Sequence, residues 1–104
     1  MSVAWRIEIT TEGGFTGRGL GNATVTSDEA SGEIARAVDA ARPERWRSEY
    51  AEPGDPRGYA DQVKYRLTLR RGASSHSSSW FDGSANLRPR DLADLFEATW
   101  ATRP

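Results

Sequence analysis

Apolar and polar residues alternate most regularly along Gln62–Arg70. Val63, Tyr65, Leu67 and Leu69 share one side, and Lys64, Arg66, Thr68 and Arg70 share the other. A period of two marks a strand with one buried and one wet face. The same alternation places Val3, Trp5, Ile7 and Ile9 on one face of a first strand. Gly13-Gly14 follows as a hairpin signal, because tight turns need positive φ. The return strand is expected from about Phe15 to Thr26, with glycines at 17, 19 and 21 that leave few side chains to pack. Such glycines point to bulges, a twisted edge, or a close backbone approach.

The period then changes. Ala30, Ile34, Ala37, Val38 and Ala41 form an apolar stripe at helical spacing. Thr26 or Ser27 is the expected cap, Thr26 and Glu29 having capping-box spacing, and Pro43 the expected stop. Residues 42–61 are irregular, with prolines at 43, 53 and 56 and glycines at 54 and 58. A helical turn across 44–50 would put Trp46 and Tyr50 on one face. The aromatics argue for an ordered loop laid against the domain. Beyond the strand at 62–70, Arg71-Gly72-Ala73-Ser74 reads as a second hairpin turn, and Ser75–Phe81 as a weakly patterned return strand broken by Asp82-Gly83-Ser84. Pro89 opens a final helix, with Asn86 or Arg88 as its cap and Leu92, Leu95, Phe96, Thr99 and Trp100 on one face. The expected fold is one α+β domain over residues 1–104: a ββαββα order, with a four-stranded antiparallel sheet and two helices on one face.

Composition narrows the function. A chain of 104 residues with 37% hydrophobic residues and ten aromatics can build one modest core. Mean hydropathy is −0.70. Net charge is −1, so no overall field directs the chain to nucleic acid or anionic lipid. Without cysteine, disulfides, thiolate metal sites and Cys nucleophiles are excluded. The start MSVAWRIEIT lacks the pattern of a signal peptide, and no apolar run has transmembrane length. A cytoplasmic protein is the expectation.

Catalytic chemistry has little material. His76 is the single histidine, so zinc held by two histidines of one chain is excluded. A triad of His76, a nearby serine and Asp82 lacks a nucleophile elbow, and those serines share the histidine's own strand. Gly17-Arg18-Gly19-Leu20-Gly21 resembles a phosphate loop, but Asn22 stands where the dinucleotide fingerprint wants its last glycine. Asp91 and Asp94, one helical turn apart, read more simply as first-turn acids favoured by the helix dipole than as an acid–base pair. Trp5, Trp80 and Trp100 read as core rather than a base-stacking surface. Two features remain: Phe15, a large apolar residue at a hairpin tip, and the aromatic, Arg-rich loop Arg45–Tyr59. Each has a plain structural reading, as packing on the sheet or as a flap over the core. Together they favour binding over catalysis, and an enzyme is not expected.

The first strand running into EGGFTG, the loop ending at PRGYAD, the strand VKYRLTL and the ending HSSSWFDG…LRPRDLADLFEATW together resemble the emfourin family. The most specific piece is Gly13-Gly14-Phe15 followed by Gly17. The resemblance implies a small intracellular bacterial inhibitor of protealysin-type, thermolysin-like zinc metalloproteases, needing no cofactor of its own. Since such proteases favour a bulky apolar side chain after the scissile bond, it implies protease contacts by Glu12, Gly13, Gly14 and Phe15. Phe15 would be the anchor, Arg57 and Tyr59 the rim, and Glu12 the group nearest the zinc. The rival reading is an interaction or self-assembly module with a non-protease partner, bound through the glycine-rich edge.

Overall fold

The computed structural model describes residues 3–13, 21–51 and 62–103. Among the described residues five strands and two helices follow one another: β1 Trp5–Gly13, β2 Ala23–Thr26, α1 Gly32–Ala40, β3 Glu49–Tyr50, β4 Val63–Arg71, β5 Ser74–Phe81 and α2 Arg90–Trp100. Short 3-10 turns at Pro43–Arg45 and Asp82–Leu87 precede β3 and α2. The sheet order is β2-β1-β4-β5-β3.

The two most regular alternations become the two central strands. β1 and β4 pair antiparallel along their full lengths, with Ile7 opposite Leu69 and Ile9 opposite Leu67. These four side chains have no exposure. They face Ile34 and Val38 of α1 and Leu92, Leu95 and Phe96 of α2 in one core. Each such aliphatic side chain contributes about 1.5–3 kcal/mol by leaving water. Polar residues of the same strands, Glu8, Thr10, Lys64 and Arg66 among them, occupy the other side of the sheet. The two-layer α+β architecture is therefore as expected, and β2 lies at one edge of the sheet.

The sheet differs from the expected four antiparallel strands. A fifth strand, β3, pairs parallel to β5 through Glu49–Ser79 and Tyr50–Trp80. Instead of a helical turn across 44–50, Pro43 starts a 3-10 turn and the chain then extends. The cause lies in β5. Ser78 Oγ donates to the Arg47 carbonyl at 2.7 Å and Ser79 Oγ to the Ser48 carbonyl at 3.2 Å. The Ser79 amide also reaches the Ser48 carbonyl, at 3.0 Å. A serine run that looks merely polar in sequence holds a strand against the sheet edge.

Local punctuation is partly shifted. The first helix starts at Gly32, with Ser31 Oγ accepting from the Ile34 amide at 3.3 Å. The Thr26–Glu29 contact does form, with hydroxyl to carboxylate at 2.9 Å, but it closes a turn before the helix. The turn wins because the Ser27 amide still donates to the Trp5 carbonyl, which keeps that residue in the sheet ladder. The expected return strand from Phe15 is described only at its end, where Ala23–Thr26 pairs with β1. The β4–β5 hairpin matches expectation. Gly72 has φ +59°, suited to the first central position of a type II′ turn. In the second helix Pro89 itself stands at the cap position, one residue beyond Arg88.

Candidate functional site

Register brings the ends of β1, β3 and β4 to one end of the sheet. Glu12 pairs with Lys64 and Gly13 with Val63. Thr11 Oγ1 donates to the Gly21 carbonyl at 2.9 Å, which sets Gly21 beside the end of β1. Tyr50, opposite Trp80, and Gln62, which leads into Val63, lie at the same end. Of the six residues expected to contact a partner, Glu12 and Gly13 are thus placed side by side with the start of β4. Gly14, Phe15, Arg57 and Tyr59 lie outside the described residues.

Glu12 is exposed and, with Thr10, Lys64 and Arg66, lines a polar notch of about 110 Å³. Lys64 is held from two sides, 3.4 Å from Glu49 and 5.5 Å from the centre of the Phe81 ring. Glu12 thus presents its carboxylate to solvent beside a lysine that is already paired with Glu49. Gly13 has φ +80°, a left-handed conformation that side chains with a Cβ adopt only with strain. A Cβ there would also come within 3.2 Å of the Gln62 carbonyl. This is one position where the glycine is required by the backbone.

Beneath this end lies an aromatic cluster. Tyr65 stacks on Trp80 at 5.9 Å and meets Phe96 edge-on at 5.4 Å. Phe96 in turn stacks on Trp100 at 5.5 Å. The Arg88 guanidinium lies over both Trp80, at 4.9 Å, and Phe96, at 5.4 Å, while its Nε donates to the Ala85 carbonyl at 2.8 Å. Burial pushes the Arg88 pKa down from its ordinary value, while the nearby Glu97 carboxylate opposes that shift. Tyr65 is pushed up to about 12, first by burial and then by its hydrogen bond to Asp82. The cluster makes a stiff base under the junction rather than a reactive site. Trp80 is core as expected, with Trp5 and Trp100 packed at its margin.

Further anchors were not marked as functional by pattern. Ser84 is fully buried; its hydroxyl donates to the Tyr50 carbonyl at 2.7 Å and accepts from the Phe81 amide at 3.0 Å. Gln62 Oε1 accepts from the Gly83 amide. The only sequence signal for either was the strand-breaking Asp82-Gly83-Ser84. On the opposite flank, Asp91 Oδ2 accepts from the Arg42 amide at 2.7 Å and from Trp46 Nε1 at 3.0 Å. That carboxylate joins α2 to the 3-10 turn. Among the described residues no three His, Cys, Asp or Glu side chains are grouped to hold a metal. No helix among them is long and apolar enough to cross a membrane.

A two-layer domain in which the ends of β1, β3 and β4 meet at one end of the sheet has the form of a binding module. Comparison with known families agrees: residues 9–99 match Emfourin, and the chain belongs to that family of metalloprotease inhibitors. No curated protein and no solved structure matches it significantly.

Proposed function

We propose that this protein inhibits a thermolysin-like, protealysin-type zinc metalloprotease by blocking its cleft with segment 12–15 and the loop holding Arg57 and Tyr59. Membership of the Emfourin family carries this reading. The pairing of Gly13 with Val63 supports it, since one partner surface can engage both segments where they root together. Phe15 is the anchor in this proposal, occupying the site for the bulky residue after the scissile bond. Glu12 approaches the zinc side of the cleft, and the inhibitor acts in the cytoplasm. No bond is made or broken by the inhibitor; it competes for the cleft.

The test is a titration of purified protein against a thermolysin-like protease with a fluorogenic peptide. Stoichiometric, substrate-competitive loss of activity is expected. Phe15→Ala should raise the inhibition constant by about tenfold or more, the range of a buried aromatic anchor. An unchanged constant removes Phe15 from the mechanism, and no inhibition by the folded wild type removes the reading.

A further inference from the structure

We infer that Gln62 is a positioning residue that sets the end of β1, at Gly13, against the turn after β5, at Gly83. Its backbone carbonyl faces Gly13, where an added Cβ would stand 3.2 Å away. Its side-chain Oε1 accepts from the Gly83 amide, a bond that only the amide oxygen can make. An added Cβ at Gly83 would stand 2.9 Å from that same Oε1 and 3.0 Å from Nε2. One glutamine is therefore closed in between two glycines from different strand ends, one at the close of β1 and one just past β5.

The consequence is geometric. Gly13 is the last residue before segment 14–20, and Gln62 is the first described residue after segment 52–61. Gly83 lies beside Ser84, whose hydroxyl holds the Tyr50 carbonyl near the other root of that second segment. Gln62 thus lies close against the end of β1 with its backbone and is bonded by its side chain to the turn that holds Tyr50. Its contact with Gly13 is backbone, and its contact with Gly83 is side chain, so a side-chain substitution loosens one half of the tie. The φ of Gly83 is not in the left-handed region, so alanine fits its backbone and collides only with Gln62. The positioning itself follows from the fold; its effect on inhibition rests on the proposed function above.

The experiment compares wild type, Gln62→Met, Gly83→Ala and the double variant. Methionine keeps length and apolar bulk while removing the acceptor. Amide exchange at Gly83 and amide chemical shifts at Glu12, Gly13 and Val63 are read in the free protein, and the inhibition constant with the protease. Faster Gly83 exchange and shifted Gly13 and Val63 amides are expected in Gln62→Met. Each single variant should weaken inhibition about three- to tenfold, the net worth of one hydrogen bond. The double variant should lose no more than either single one, because both act through one contact. Unchanged Gly83 exchange, or faster exchange with the Gly13 and Val63 amides unmoved, overturns the positioning role. So does inhibition at wild-type strength by Gln62→Met. If the wild type inhibits no protease, the functional reading fails, and the exchange and shift data alone decide whether Gln62 positions the end of β1 against Gly83.

Discussion

Replacing Ser84 with alanine removes a single oxygen, yet the structure assigns it a large cost. Ser84 has 0% exposure, and its hydroxyl bridges the Tyr50 carbonyl at 2.7 Å and the Phe81 amide at 3.0 Å. A typical hydrogen bond is worth about 0.5–1.5 kcal/mol net, and a buried group left without a partner costs about 1–3 kcal/mol. Losing both bonds at once, with the Tyr50 carbonyl buried, gives about 2–3 kcal/mol. For a domain of this size that is a fall in Tm of about 10–20 °C. Ser77 is the control: exposed on β5, its hydroxyl pairs with Thr68 at 2.8 Å. Ser77→Ala should stay within about 0.5 kcal/mol of wild type. Urea and thermal unfolding of both variants decide the matter. A loss below about 1 kcal/mol for Ser84→Ala, or an equal loss for Ser77→Ala, would refute the assignment of Ser84 as the buried link between β3 and the turn after β5.

Two further outcomes follow from charged and polar contacts. The raised Tyr65 pKa of about 12 means the folded state holds a proton that the unfolded chain releases near 10. Its stabilising effect is complete below pH 10 and is lost as pH rises towards 12. Tyr65→Phe should flatten that decline in urea midpoints measured from pH 9 to 11.5, and an equally steep decline in the variant would assign the loss to other groups. Asp91→Ala removes the acceptor for the Arg42 amide and the Trp46 indole. It should cost about 1–2 kcal/mol and move the Trp46 indole N–H resonance, and an unmoved resonance would contradict the contact.

The strong alternations read true because each is a local property. Val63 to Leu69 and Trp5 to Ile9 can bury one face only as strands, whatever they pair with. The stripe of Leu92, Leu95, Phe96 and Thr99 likewise has one solution, a helix laid on a sheet. The candidate site was legible only in part. Glu12 and Gly13 are the last residues of β1 rather than part of a turn, and Gly14, Phe15, Arg57 and Tyr59 lie outside the described residues.

What the amino-acid pattern alone determined was the α+β class, the two long strands, the Gly72 turn and the final helix. Tertiary structure decided the rest, because it depends on partners distant in the chain. Thr26 was passed over as helix cap once Ser27 stayed bonded to Trp5. Ser78 and Ser79 became buried because carbonyls of residues 47 and 48 came to meet them, which made a two-residue parallel strand that no periodicity could announce. The Gly13–Val63 register brought together strand ends fifty residues apart, and Gln62 gained its place between two glycines only there. Local periodicity reports which face of an element is apolar; it carries no record of which hydroxyl will find which carbonyl.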